Sequence, residues 1–312
     1  MDLSTSIEYT EKFFDELSFQ ELGHVYTVRG KRIKSVSSLI PYFYEYVDWE
    51  EVAERYAFKH RMLTSEVLKM WREAGDIGAS EGTAVHSYGE KEYLEREAKR
   101  KKEEAIDKFY ATLDHTRYVI LHRELKMWHK EYWYSGTTDL VLHDLWTGTD
   151  IIGDWKTNKD IHKNFAGRML LHPFSELLDN ALKKFNIQLN FYKLQYEQTG
   201  REVSEMWLIW LKEDGEYEKI PDGDPAVFTS PFVKTAIFMA VMNKKNAPLE
   251  SRTGFSSNNN GNFEFRATQE TMNQISEDAS GYVYVFEKEK FQEINFNESV
   301  SHEEVEPIMF IE

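Results

Sequence analysis

The chain has 312 residues, with 38 Lys and Arg against 54 Asp and Glu, a formal charge of −16. It has no cysteine, which excludes disulfides, a thiol nucleophile, cysteine-ligated zinc and an iron–sulfur cluster. No run of about 18 apolar residues occurs, so no membrane span is expected; the acidic opening MDLSTSIEYTEKFFDEL lacks the apolar stretch of a secretory signal and the arginines of a transit peptide, and the expected address is the cytoplasm.

HVYTVRGKRIK, residues 24–34, alternates apolar and polar side chains around Arg29-Gly30 and predicts a β-hairpin. SVSSLIPYF follows as a short helix with Ser35 or Ser37 as its N-cap, limited by Pro41. Residues 49–74 read as two helices parted near Leu63 to Ser65, residues 77–101 as one long helix, and 103–113 as another. The period then changes: 117–127, 130–134, 136–143 and 149–155 read as consecutive strands rich in Val, Ile, Tyr and Trp. A long helix is expected over 175–199, a strand over 203–211 pairing with 215–220, and a helix over 230–246. The order predicts a mixed α/β (α+β) fold with one central sheet. SRTGFSSNNNGN, 251–262, reads as a linker, and 281–287 as a strand beyond it. The expected division is 1–75, a hairpin and helical region that could arch over a site; 76–250, the core; the linker; and 263–312, an acidic segment with twelve acids and three bases. That segment is either a solvated appendage or a means of repelling DNA or recruiting a protein partner, with the apolar residues of EPIMFIE as a docking patch.

The informative stretch is GTTDLV at 136–141 followed by IIGDWKT at 151–157. If the two strands form a hairpin with Asp144 opposite Thr149, the constant sum of paired numbers sets Asp139 opposite Asp154, with Cβ atoms about 5 Å apart. Lys156 shares that face and Trp155 points into the core. Two like charges so placed repel, unless a divalent cation sits between them. Oxygen ligands suit Mg2+ or Mn2+, and a neighbouring lysine can orient water or offset charge on a phosphate. A strand with ordinary solvent-facing charges would carry the same Asp-x-Lys triplet; the register is what brings a metal site level with that reading.

His86 in GTAVH, Glu124 in HRELKMW, Asp139 in SGTTDLV, Asp154 and Lys156 in GDWKTNK, and Gln188 with Tyr192 in QLNFY follow one another in an order and spacing that resembles the PD-(D/E)XK nuclease superfamily, in its RecB-like exonuclease lineage. The early segment HVYTVRGKRIKSVSSLI is similar to the opening of phage members. The resemblance covers roughly residues 23–246; Thr138 stands where the family name has proline, and the cluster-binding cysteines of some relatives are absent. It implies a restriction-endonuclease-like core and a Mg2+- or Mn2+-dependent deoxyribonuclease, an exonuclease on single strands or free ends, in phage or bacterial recombination or repair. It further implies His86, Asp139, Asp154 and the Trp155 carbonyl as metal ligands, Lys156 as the group that positions water or stabilises the transition state, and Gln188 and Tyr192 as holders of the substrate backbone or of the lysine. Glu124 would bind a second metal or support the first, and Glu90, one turn after His86, would lie behind them or simply on the surface.

Overall fold

A computed structural model describes residues 3–21, 23–91, 95–164 and 167–221, together with the strands 262–265, 282–287, 290–295 and 308–311. The fold is mixed α/β, as the order of elements predicts. Helix α1 (Leu3–Phe13) and strand β1 (Leu17–Gln20) open the chain, and neither was expected from the sequence. Strands β2 (Val25–Val28) and β3 (Lys31–Ser35) form the predicted hairpin, with Arg29 and Gly30 at φ +50 and +74°, the left-handed pair such a tight turn needs. Ser35 caps the short helix α2 (Val36–Leu39) by accepting from the Ser38 N–H, and a 3-10 turn carries Pro41.

Helices α3 (Trp49–His60) and α4 (Thr64–Glu90) part at residues 61–63, two residues before the predicted break at 63–65. α4 then runs unbroken through 75 and 76, where two helices were predicted, and stops at Glu90 instead of continuing to 101. The stop has a local cause. Arg96 folds back, its guanidinium donating to the carbonyls of Gly89 and Lys91 that the helix end leaves without partners. The carboxylate of Glu103 accepts from the N–H groups of Lys99 and Arg100 and starts α5 (Lys101–Thr112).

Strands β4 (Tyr118–His129), β5 (Tyr134–Asp144) and β6 (Thr149–Lys156) follow. Residues 130–133, predicted as a strand, are the tight turn between β4 and β5, closed by the Trp133 N–H on the His129 carbonyl. α6 (Ala181–Glu197) begins later than predicted because Asn180 caps it, accepting from the Lys183 N–H. β7 (Val203–Leu211) lies parallel to β6, and β8 (Tyr217–Pro221) pairs with it antiparallel. The sheet runs β1-β2-β3-β5-β6-β7-β8, with β4 also on β5. Beyond it, β9 (Asn262–Phe265) pairs with β12 (Ile308–Ile311), and β10 (Tyr282–Glu287) with β11 (Lys290–Asn295), both antiparallel. The strand expected at 281–287 is β10. The predicted helix 230–246 and linker residues 251–261 lie outside the described residues.

The sheet is covered on both faces. Val141, Ile152 and Leu208 pack with Ile187, Leu189 and Phe191 of α6. Leu140, Leu142, Trp155 and Ile209 pack with Val85 of α4 and with Ile106 and Phe109 of α5. Fully burying a side chain of this size contributes roughly 1.5–3 kcal/mol, so these two layers fix the sheet more firmly than any single polar contact. No helix among the described residues is long and apolar enough to cross a membrane.

Candidate metal centre

The β5–β6 ladder has the predicted register: Asp144 pairs with Thr149 and Leu140 with Gly153, and there the ladder ends. Asp139 and Asp154, expected as the next pair, are not paired in the ladder, because the two strands part before reaching them. Side chains take over from backbone pairing. Thr138 Oγ1 donates to the Gly153 carbonyl at 3.0 Å, and the Trp155 N–H donates to Asp139 Oδ2 at 2.7 Å. The edge that β6 leaves is taken up again by β3, which pairs in parallel with β5 at Tyr134 and Ser135. β4 occupies the other edge throughout. Residues 136–139 therefore lie in a fork, open on one edge of β5.

The pleat reverses at this fork. Glu124 has φ +51° in the middle of β4, and the ladder brackets it between Arg123 opposite Leu140 and Leu125 opposite Thr138. It thus stands across from Asp139. Regular alternation would put Arg123 and Leu125 on one face. Instead Arg123 lies over the Tyr110 ring of α5, and Leu125 lies in the α6-side core. β5 does the same across Asp139, since Leu140 packs on the α5 side while a side chain at Gly136 would meet Tyr192 of α6.

Three groups from three elements converge here. Ligand atoms of His86 (α4), Glu124 (β4) and Asp139 (β5) all lie within 4.8 Å of one another. His86 Nδ1 is 2.9 Å from Asp139 Oδ1. Burial pushes the Asp139 carboxyl well above the ordinary carboxylate range, and the charge of Asp154 adds to it. Glu124 is pushed up to about 9, first by burial and then by Asp139. Burial lowers His86, favouring the neutral ring that can serve as a ligand. Without a cation the cluster holds protons it would release to one.

Asp154 faces the same cluster. It is buried, and its Oδ2 makes no hydrogen bond; the Lys156 ammonium touches that oxygen in an ion pair without hydrogen-bonding geometry. Lys156 donates to Gln188 Oε1 at 3.0 Å, and Gln188 Nε2 donates to the Tyr192 hydroxyl at 2.6 Å. On α6 Gln188 thus tethers the lysine, and Tyr192, at i+4, tethers Gln188. Phe185 lies 4.5 Å from the ammonium. Trp155 itself is buried against Phe109 and Tyr110, as predicted. An extended residue turns its N–H and C=O to the same strand edge, so the Trp155 carbonyl shares the fork side with the N–H that binds Asp139. Glu90 is exposed, and its charge raises both His86 and Glu124.

His86, Glu124, Asp139, Asp154 and Lys156 therefore meet at the fork, with Gln188 and Tyr192 behind the lysine, whereas Glu90 stays exposed and acts on the site by its charge alone. Sequence reasoning missed Tyr26, whose hydroxyl is 2.8 Å from Thr137 Oγ1. Nothing local signals that contact, because the two are 111 residues apart. Set against known proteins, the chain matches no family model, and no curated protein matches it significantly.

Proposed function

We propose that the chain is a divalent-metal-dependent deoxyribonuclease that hydrolyses phosphodiester bonds, acting as an exonuclease on single strands or free ends. The observation that supports this most is the continuous set of contacts from His86 and Glu124 through Asp139 and Asp154 to Lys156, Gln188 and Tyr192. Its two ends differ in chemistry. One end is an acidic pocket with a neutral imidazole, which suits Mg2+ or Mn2+, the imidazole favouring Mn2+. The other is a buried, tethered ammonium.

His86, Asp139, Asp154 and the Trp155 carbonyl would hold the ion, with Glu124 near enough to join them. A bound ion would supply Lewis acidity toward a phosphoryl oxygen and a more acidic water. Lys156, fixed by Gln188 and Phe185, would set its positive charge where a pentacoordinate phosphate transition state gathers negative charge. Tyr192 fixes Gln188 and so the lysine. The setting we favour is phage or bacterial recombination, repair or processing of DNA, in the cytoplasm of the host cell.

The test is a gel assay with end-labelled linear DNA, single- and double-stranded, and circular single strands, in Mg2+, Mn2+ or EDTA. We expect metal-dependent loss of linear DNA, sparing of circles, and a loss of at least 100-fold in Asp154→Ala and Lys156→Ala. Cut circles would make the enzyme an endonuclease. DNA bound but left whole in both metals would replace the enzyme reading with that of a non-cleaving recombination accessory protein.

A further inference from the structure

The β2–β3 hairpin meets β5 at two points on either side of Gly136. On one side is the parallel pairing of β3 with Tyr134 and Ser135, where Ser135 Oγ also donates to the Lys34 carbonyl at 3.1 Å. On the other is the hydroxyl pair of Tyr26 and Thr137. Tyr26 is 3% exposed, packed against Phe19 and His24 of the N-terminal strands and their turn, so its ring has little freedom. Beyond Thr137, β5 has no backbone partner on that edge until Leu140 pairs with Gly153. The hydroxyl pair is thus the hairpin's last tether on that edge before Asp139, two residues on; the next contact, Thr138 Oγ1 on the Gly153 carbonyl, comes from β6. Tyr192 presses on the same segment at Gly136, where an added Cβ would lie 2.5 Å from its ring. The phenol is also close enough for the charges of Glu124 and Asp139 to act on it.

We infer that Tyr26, through Thr137, is a positioning residue for the metal centre, holding the open edge of β5 so that Asp139 stays within reach of His86 and Glu124. The inference rests on the metal-centre reading and adds to it a part for the N-terminal hairpin, which contributes no ligand. Residues that orient metal ligands typically change metal affinity or activity by 10–100-fold when altered.

The experiment compares wild type, Tyr26→Phe, Thr137→Val and Thr137→Ser. Mn2+ binding is followed by calorimetry, cleavage of single-stranded DNA by kcat and KM, and stability by melting temperature. Positioning predicts that Tyr26→Phe and Thr137→Val each weaken Mn2+ binding about tenfold and lower kcat by a similar factor. KM for DNA should be unchanged. The double variant should be no worse than either single one, because both delete the same contact. Thr137→Ser, which restores the hydroxyl, should recover Mn2+ binding. Lower melting temperatures with unaltered Mn2+ affinity and kcat would make the contact structural only and overturn the inference. A wild type that binds no Mn2+ would overturn it together with the metal-centre reading, whereas normal wild-type behaviour with indifferent variants would overturn the inference alone.

Discussion

Glu124 holds a left-handed backbone conformation in the interior of a strand, which costs a non-glycine residue on the order of 1–2 kcal/mol. It also keeps a half-buried carboxyl next to another carboxyl. Both features oppose stability, and both serve to aim charge into the fork. Glu124→Gly should therefore raise the unfolding free energy, by about 1 kcal/mol from the backbone alone, while metal binding and cleavage fall. Denaturant unfolding beside the gel assay checks this; a less stable variant would show that the conformation carries no strain. The pH dependence has a definite sign. A carboxyl at about 9 in the fold and about 4.5 unfolded stabilises the protein below the lower value and loses that contribution as pH rises through the upper one. Asp139 acts in the same direction. His86, lowered by burial, opposes acidification instead and acts below its ordinary value of 6.5. From pH 6.5 to 9 the metal-free melting temperature should fall, and Mn2+ should offset the fall because it binds the deprotonated cluster. Glu124→Gln should flatten the curve; a slope parallel to that of wild type would exclude Glu124 as its source.

At the scale of elements, the fork depends on how closely α6 approaches β5. The bare backbone of Gly136 allows that approach, and Gly136→Ala would force Tyr192 away and loosen the Gln188–Lys156 contact. Overpacking of this kind costs about 1–3 kcal/mol. We expect a destabilised protein whose activity falls further than its folded fraction, measured by melting and by turnover per folded molecule; activity that tracks the folded fraction would separate Gly136 from the site. The hairpin register was legible because turn chemistry fixes it: Asp144 accepts from the Trp146 N–H, and Gly148 turns at φ +73°. Gln188 and Tyr192 were legible as a helical i, i+4 pair. The reversed pleat was not, since alternation assumes a regular strand and no glycine marks the break in β4. Nor was the end of α4, which is set by Arg96 returning from outside the helix. The Tyr26–Thr137 contact is tertiary and has no period to betray it.

Over the whole molecule, the charge is uneven: residues 263–312 carry −9 of the total −16. Phosphate binding is opposed by distant negative charge within about a Debye length. A chain ending at 262 should bind DNA several-fold more tightly at low salt, with the difference fading near 0.5 M; fluorescence anisotropy across a salt series measures it, and equal affinity at low salt would show that the segment exerts no field at the site. The chemistry proposed for the chain converges on one place, the fork between β5 and β6. Its most direct test is an anomalous difference map from crystals of the protein soaked in MnCl2. We expect a manganese peak bounded by His86, Glu124, Asp139 and Asp154. A soaked crystal with manganese bound elsewhere and none at the fork would contradict it.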